Sequence, residues 1–193
     1  RGTPGKLLVC NMPPIDLDSD EVHATCMVDF KMMKALQEGA SDLGKYDWVL
    51  GTRPRKWMEM QSTFYLKYSQ NIKGFHTHMP TYAQLPGHSL AQAATNYSCG
   101  HMAVDYACRS MKAKQVHMYG FDSMFDMNLK SHTDNFLESD RSALNTHRMA
   151  SNWRPIWGNF FREFQDTQFF IYHSHNGIKF KLPDNVKVIV QEM

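Results

Sequence analysis

Short apolar runs alternate with longer mixed stretches along most of the chain. The apolar runs end in glycine or polar turn residues, a pattern typical of strands, and they fall at 6–11, 23–28, 45–52, 114–122, 167–174 and 186–192. Apolar residues at helical spacing predict a helix that begins after the apolar run 23–28 and ends at about Glu38. The same spacing predicts a helix in two pieces across 90–111 and a helical region across 141–165 that is bent or interrupted at Pro155. Strands separated by helices predict an α/β protein with a mainly parallel sheet flanked by helices.

Three stretches between these elements carry weaker signals. Residues 53–70 fit either helix or strand, and the glycines and prolines of 74–87 predict a long connection. Residues 123–140 are polar and predict a loop, and 123–146 is the region where a lid over a site would lie. The chain of 193 residues shows no repeat and no clear linker, so we expect a single domain over 1–193.

Composition narrows the classes of function. The net charge of +2, from 21 basic and 19 acidic residues, indicates no nucleic-acid partner. The four cysteines are scattered without a C-x-x-C pair, which favours reduced thiols and a cytoplasmic location. No apolar run approaches the roughly 20 residues of a transmembrane helix. Nothing in the sequence indicates the oligomeric state.

Polar residues follow several of the predicted strands. In a parallel α/β sheet, ligands bind beyond the carboxyl ends of the strands. This rule places five segments around one cleft: "CNMPP" at 10–14, "VDF" at 28–30, "NYSCG" at 96–100, "GFD" at 120–122 and "YHSHNG" at 172–177. No segment matches G-x-G-x-x-G or the P-loop pattern, so a bound nucleotide has to be held in another way.

The order of these strand ends resembles the glycosyltransferase family 42 sialyltransferases and the related DUF115 group. That superfamily includes flagellin-modifying proteins and a pterin diphosphokinase. In that superfamily the first strand ends in a G-N-G-P-S-like loop, and the second strand leads into a segment like A-V-D-x-A-L-K. A Ser-Gly turn then opens a long helix, which is followed by a strand ending in Gly-x-Asp. A histidine precedes a later helix. The resemblance covers residues 6 to about 174, and the matching positions are Asn11, Pro13, Val28, Asp29, Ser98, Gly100, Gly120, Asp122 and His147.

The resemblance implies a Rossmann-like domain that transfers a sugar, with inversion and without a metal, from a nucleotide-activated donor. Its partners would be a nucleotide sugar and a small-molecule or glycan acceptor, and no other cofactor is expected. His147 and Asp122 are the implied catalytic residues, and a histidine suits the base that takes the acceptor's proton. Nucleotide contacts are implied at Asn11, Met12, Pro13, Asp29, Ser98, Cys99, Gly100 and Ser174.

Structural roles are open for the same positions. Asn11 and Pro13 also suit a turn, while Asp29 and Ser98 also suit helix caps. His132 competes with His147 for the role of base.

Other side chains have alternatives of their own. The spacing of His173 and His175, with His76 and His78 elsewhere, allows a metal site, although polar strand faces are the commoner explanation. Trp153 and Trp157 share one helical face and fit a core better than a platform for the acceptor.

Two other functions stay open beside the glycosyltransferase. One is a diphosphokinase of the same superfamily, which would act on a small heterocyclic alcohol and need ATP and Mg²⁺. The other is a non-catalytic module that binds nucleotides or glycans. The second alternative follows from Phe125, which stands where the family has a tyrosine near the leaving phosphate.

Overall fold

Parallel strands alternate with helices in the computed structural model, which describes residues 5–13, 17–125 and 152–191. The predicted α/β class is confirmed, with Rossmann-like parallel sheets flanked by helices. The described chain divides into two compact units, one of residues 5–13 and 17–78 and the other of residues 79–125 and 152–191. The assignment of both units to a single domain stays a prediction.

The first unit contains a four-stranded sheet in the order β1-β2-β3-β4, and each neighbouring pair is parallel. Three helices follow its second and third strands. The bounds are β1 Leu7–Cys10, β2 Val22–Met27, α1 Lys31–Gln37, β3 Trp48–Leu50, α2 Thr52–Met60, α3 Ser62–Tyr68 and β4 Ile72–Phe75.

Trp48 lies at the centre of the first unit's core. Its side chain is fully buried, its indole N–H donates to the carbonyl of Leu43 at 2.9 Å, and its ring lies 5.5 Å from Tyr68 and 6.5 Å from Phe64. The two central strands of this sheet, β2 and β3, are almost wholly buried, as expected for parallel strands covered by helices. The apolar runs that predict these strands therefore reflect the burial of their side chains.

The stretch from 53 to 75 shows where the sequence pattern misleads. The ambiguous segment is helical as α2 and α3, but the predicted connection from Gly74 is wrong at its start because Gly74 and Phe75 belong to β4. This strand has four residues and alternates between half-buried and exposed positions, including Lys73. Its pairing with β3 depends on backbone hydrogen bonds, which leave little trace in side-chain pattern.

The second unit contains a three-stranded parallel sheet in the order β5-β6-β7. A π-helical turn, Tyr106–Ser110, continues its second helix, and Pro155 lies in the first turn of its third helix and does not interrupt that helix. The bounds are α4 Leu90–Asn96, α5 Cys99–Asp105, β5 Gln115–Tyr119, α6 Arg154–Glu163, β6 Gln168–His173 and β7 Val186–Val190.

Aromatic rings fill the core of the second unit. Trp157 and Phe160 of α6 are buried and meet at 5.4 Å, and Phe160 lies 5.7 Å from Phe169 of β6. The predicted core role of Trp157 is confirmed, while Trp153 is half-buried just before α6. Adjoining this core, the carboxylate of Asp105 is fully buried and is bound by Tyr82 and Arg109.

All four cysteines are free thiols, three of them buried and Cys10 half-buried. Burial raises the pKa of the Cys108 thiol to about 12. Among the described helices, none has the length and apolar content that crossing a bilayer requires.

Candidate functional site

The carboxyl edge of the first sheet gathers four strand ends, because all four strands run parallel. Asn11 follows β1, Asp29 follows β2, Arg53 is the second residue of α2 after β3, and His76 follows β4. Two of these residues, Asn11 and Asp29, are predicted nucleotide contacts. The edge therefore carries an amide, a carboxylate, a guanidinium and an imidazole.

Asn11 adopts a left-handed backbone conformation with a φ of 61°, which asparagine tolerates better than most residues. Its N–H donates to the carbonyl of Cys26 at 2.9 Å, and its own carbonyl accepts the hydroxyl of the buried Thr25. Through these two hydrogen bonds of its main chain, Asn11 connects the turn after β1 to strand β2. The turn role considered for Asn11 is thus confirmed, and its side-chain amide is the part that a ligand would meet.

The next two residues of this loop turn inward. The side chain of Met12 packs against the core of the first unit, and Pro13 is buried. Both were predicted nucleotide contacts, and the structure gives them packing contacts within the unit. A side chain at position 12 also leaves less room for close approach of a phosphate to the backbone than glycine would.

Asp29 combines a capping contact with partial exposure. One carboxylate oxygen, Oδ1, accepts the N–H of Lys31 at 3.2 Å in the first turn of α1. The other, Oδ2, lies 4.0 Å from Nη1 of Arg53, with 30% of the Asp29 side chain and 45% of the Arg53 side chain exposed. Asp29 therefore binds the first N–H of α1 from the position before the N-cap, Phe30, and its second oxygen faces a loosely paired guanidinium.

Sequence reasoning missed Arg53. Gly51 ends the third apolar run, so the residues after it lie at the same sheet edge as Asp29. The position of Arg53 at this edge was nevertheless not evident from the sequence, because residues 53–70 fit both helix and strand. Thr52 lies beside it, and its hydroxyl donates to the carbonyl of Thr77 at 3.5 Å.

In the second unit, Ser98 caps α5 through a capping box with His101. The Ser98 hydroxyl accepts the N–H of His101 at 3.3 Å, and Nδ1 of His101 accepts the N–H of Ser98 at 3.2 Å. Nδ1 also lies 2.7 Å from the Ser98 hydroxyl, which donates to it. The predicted cap at Ser98 is confirmed, and its hydroxyl hydrogen is already engaged within the protein.

His101 is fully buried between the rings of Tyr97 and Trp157, at 5.8 and 4.2 Å. Burial lowers its pKa to about 3, because the cationic imidazolium would lose its hydration there. The imidazole is therefore neutral at physiological pH and serves the cap and the core.

Cys99 and Gly100 open α5 next to Ser98. Cys99 is buried as a whole residue, so it presents almost no surface to a ligand. The ring of Phe121 packs on Gly100, and a Cβ at position 100 would lie 2.8 Å from Cε1 of that ring. Phe121 also meets Trp157 edge-on at 5.4 Å. Glycine at position 100 thus allows Phe121 to pack on the start of α5.

Asp122 begins a short turn, Asp122–Met124, which is separated from β5 by two residues, and lies next to a histidine at the end of β6. Its Oδ1 lies 3.4 Å from Nε2 of His173. Phe125 is buried and stacks on the His173 ring, with 3.9 Å between centroids and 13° between planes. Phe125 therefore packs against the histidine that lies next to Asp122.

His173 was considered as a metal ligand or a polar strand residue, and its pairing with Asp122 was missed. Tyr119 of β5 pairs with Tyr172 of β6, so the residues after both strands meet at one end of the sheet. Strand β6 ends at His173, which pairs with Val190 of β7, and the exposed residues Ser174 and His175 follow in a bend. Ser174 is thus accessible to a ligand, as its predicted contact requires.

The remaining predictions concern residues outside the described ranges or have no support within them. His147, its competitor His132 and most of the predicted lid at 123–146 lie outside the described residues, and Phe125 within that lid is buried. In the ranges 5–13, 17–125 and 152–191, no three His, Cys, Asp or Glu side chains are grouped so as to hold a metal ion.

The chain matches no protein-family model, and neither a curated protein nor a solved structure is significantly similar to it. The resemblance to sialyltransferase-like proteins therefore stays a prediction from short motifs.

Proposed function

We propose that this protein transfers a sugar from a nucleotide-activated donor to a small-molecule or glycan acceptor, as a sialyltransferase-like, inverting and metal-independent glycosyltransferase. The observation that supports it most is the half-exposed carboxylate of Asp29 at the carboxyl end of β2, with Asn11 at the end of the adjacent β1. In Rossmann-like proteins, a carboxylate at this position binds ribose hydroxyls.

The charges at this edge suit the two polar parts of a nucleotide. Asp29 uses one carboxylate oxygen in α1, and its second oxygen accepts ribose hydroxyls in the proposal. Arg53 lies 4.0 Å from that oxygen, a separation at which its pairing is weak, so its guanidinium can bind a phosphate instead. The amide of Asn11 donates or accepts beside them.

The predicted nucleotide contacts of the second unit stay predictions from the resemblance. The hydroxyl and the N–H of Ser98 both donate to His101. Cys99 is buried, Gly100 is half-buried and Ser174 is exposed.

The transfer itself needs few groups. The bond between the anomeric carbon and the nucleotide phosphate breaks as the acceptor oxygen forms its bond on the opposite face. The nucleotide leaves as an anion, and a base takes the proton of the acceptor hydroxyl. His147 and Asp122 are the candidates for this base.

Thermal shift with CMP, UDP, GDP and their sugars tests the nucleotide part. We expect one nucleotide to stabilise the protein, by roughly 2.7 kcal/mol at 100 times its Kd. Asp29→Asn and Arg53→Gln should weaken this stabilisation. The exposed residues Asp20 and Lys56 provide matched controls, Asp20→Asn and Lys56→Gln, which should not.

The same panel separates the alternatives. Stabilisation by ATP that requires Mg²⁺ would favour the diphosphokinase. Nucleotide binding without any turnover would favour the binding module. No stabilisation by any nucleotide at millimolar concentration would refute the proposal.

A further inference from the structure

Charge is unevenly distributed along the chain. Residues 52–75, which span α2, α3 and β4, contain five basic side chains and one acidic side chain, whereas the rest of the chain contains 16 basic and 18 acidic ones. All of 52–75 belongs to the first unit. The small net charge of the whole chain therefore combines a basic segment with a slightly acidic remainder.

The same basic segment exposes large apolar side chains. Met60, the last residue of α2, is 78% exposed, and Leu66 of α3 is 76% exposed, the two highest values among the large apolar side chains of the described residues. Tyr65, next to Leu66, is exposed as well. Single exposed apolar side chains are common on protein surfaces, but here three of them lie within seven residues.

The packing of the two helices explains why these side chains point outward. Met58 of α2 and Phe64 of α3 are both buried in the core cluster of the first unit. Met60 and Leu66 each follow the buried residue of their helix by two positions, which is a rotation of about 200° around the helix axis. Both side chains therefore lie on the sides of α2 and α3 that face away from that core.

A lysine lies beside each of the two outward-facing apolar side chains. Lys56 precedes Met60 by four residues, so the two share one side of α2. Lys67 directly follows Leu66, and its ammonium lies 5.0 Å from the ring centroid of Tyr68. Both lysines are exposed.

These two lysines carry the uncompensated charge of the segment. Its other basic side chains lie within 4.0 Å of a carboxylate, in the pairs Arg53–Asp29, Arg55–Glu59 and Lys73–Asp47. Lys56 and Lys67 form no ion pair with any carboxylate in the part of the chain that the structure describes. Free positive charge and exposed apolar side chains therefore lie together on the outer sides of α2 and α3.

We propose that this α2–α3 surface, formed by Lys56, Met60, Tyr65, Leu66 and Lys67, binds an anionic lipid bilayer. Such a bilayer has negative headgroups above hydrocarbon, which is complementary to uncompensated ammonium groups beside protruding apolar side chains. The lysines bind the headgroups, while Met60 and Leu66 enter the boundary between headgroups and acyl chains. The inference is independent of the proposed function, because none of these five residues contributes to the nucleotide site.

Flotation of the full chain with phosphatidylcholine vesicles, with and without phosphatidylserine, tests the electrostatic part. We expect binding to the vesicles that contain phosphatidylserine, and this binding should weaken as salt is added. A lysine near such a surface contributes about fivefold in affinity, so Lys56→Gln combined with Lys67→Gln should lower the affinity by about 25-fold. Lys181→Gln combined with Lys187→Gln, at exposed positions of the second unit, is the matched control and should bind like wild type.

The apolar part is tested by substitution and by fluorescence. Met60→Gln combined with Leu66→Gln should lower the affinity for the same vesicles by about tenfold or more, because two apolar side chains no longer leave water. Met60→Trp should add fluorescence that lipids with brominated acyl chains quench, measured against the wild-type protein with its four tryptophans. Leu90→Trp is the control, since Leu90 is 67% exposed but lies in the second unit, and it should not be quenched.

Each other outcome points to a different occupant or to none. No binding of wild type to phosphatidylserine vesicles, or equal binding of wild type and the Lys56/Lys67 variant, overturns the inference. Equal quenching of Met60→Trp and Leu90→Trp overturns insertion by this surface. Preference of wild type for DNA over the vesicles, or a dimer that Leu66→Gln dissociates, would assign the surface to a nucleic acid or to a second copy and overturn the inference. Absence of nucleotide binding in the wild-type protein would refute the proposed function and leave this inference standing.

Discussion

Replacing His101 with glutamine isolates the effect of one buried imidazole on stability. The folded protein keeps His101 neutral, because burial lowers its pKa from 6.5 to about 3. The unfolded chain binds a proton at this residue once the pH falls below about 6.5. Between these two pKa values the unfolded state holds more protons, so the free energy of unfolding should fall as the pH falls.

The size of this effect follows from the two pKa values. One proton of difference gives a slope of about 1.4 kcal/mol per pH unit. Integrated from pH 7 to pH 4.5, the contribution of His101 is a loss of about 2.5 kcal/mol in the free energy of unfolding. This is a large fraction of the ~5–15 kcal/mol that is typical of folded domains.

Glutamine suits this test because it occupies the third position of many capping boxes. His101→Gln should keep a side-chain acceptor for the N–H of Ser98 while removing the titrating group. Loss of ring stacking on Trp157 will lower its stability at every pH, but it should not change the slope. Ser98→Ala is the matched control, since it weakens the cap by about 1 kcal/mol and leaves the buried imidazole in place.

Urea unfolding at pH 7, 6, 5 and 4.5, followed by circular dichroism, supplies the measurement. From pH 7 to pH 4.5, wild type and Ser98→Ala should lose about 2.5 kcal/mol more than His101→Gln. Parallel pH profiles for wild type and His101→Gln would refute the reasoning, because the imidazole would then titrate equally in both states.

Three further substitutions or reactions test the second unit. Tyr82→Phe removes the 2.6 Å hydrogen bond from the hydroxyl to the buried carboxylate of Asp105, and it should lower the free energy of unfolding by about 1.5–3 kcal/mol in urea titrations. Gly100→Ala places a methyl group 2.8 Å from the ring of Phe121; thermal unfolding should show a loss of about 1–3 kcal/mol, and combining it with Phe121→Leu should restore part of it. Burial and the raised pKa of about 12 should make Cys108 unreactive toward a thiol reagent at pH 8; labelling at the rate of an unfolded control would contradict this.

Burial explains which strands could be predicted from the sequence. The apolar runs that become β2, β3, β5, β6 and β7 supply core side chains such as Trp48, Met118 and Phe169, so their pattern reports packing directly. Strand β4 supplies no fully buried side chain and was missed at its Gly74 end. Strand β1 also has no fully buried side chain, yet its unbroken apolar run Leu7–Cys10 predicts it, whereas Lys73 and Gly74 interrupt the apolar pattern of β4. An unbroken apolar run is therefore what identifies a strand in this sequence, and burial is its usual cause.

Some features of the candidate site could likewise be predicted from the sequence, and others could not. The turn at Asn11 and the cap at Ser98 could be predicted because turn and cap chemistry is local in sequence. The pairing of Asp122 with His173 was missed, because residues this far apart meet only through the register of β5 on β6. Arg53 was missed for a related reason, since its position beside Asp29 requires β3 to lie next to β2.

The most direct test of glycosyl transfer is proton NMR of the wild-type protein incubated with nucleotide sugars and excess acceptor. We predict release of free nucleotide together with a product whose anomeric configuration is opposite to that of the donor. Product with retained configuration, or transfer of diphosphate from ATP with Mg²⁺ and no reaction of any nucleotide sugar, would contradict the account.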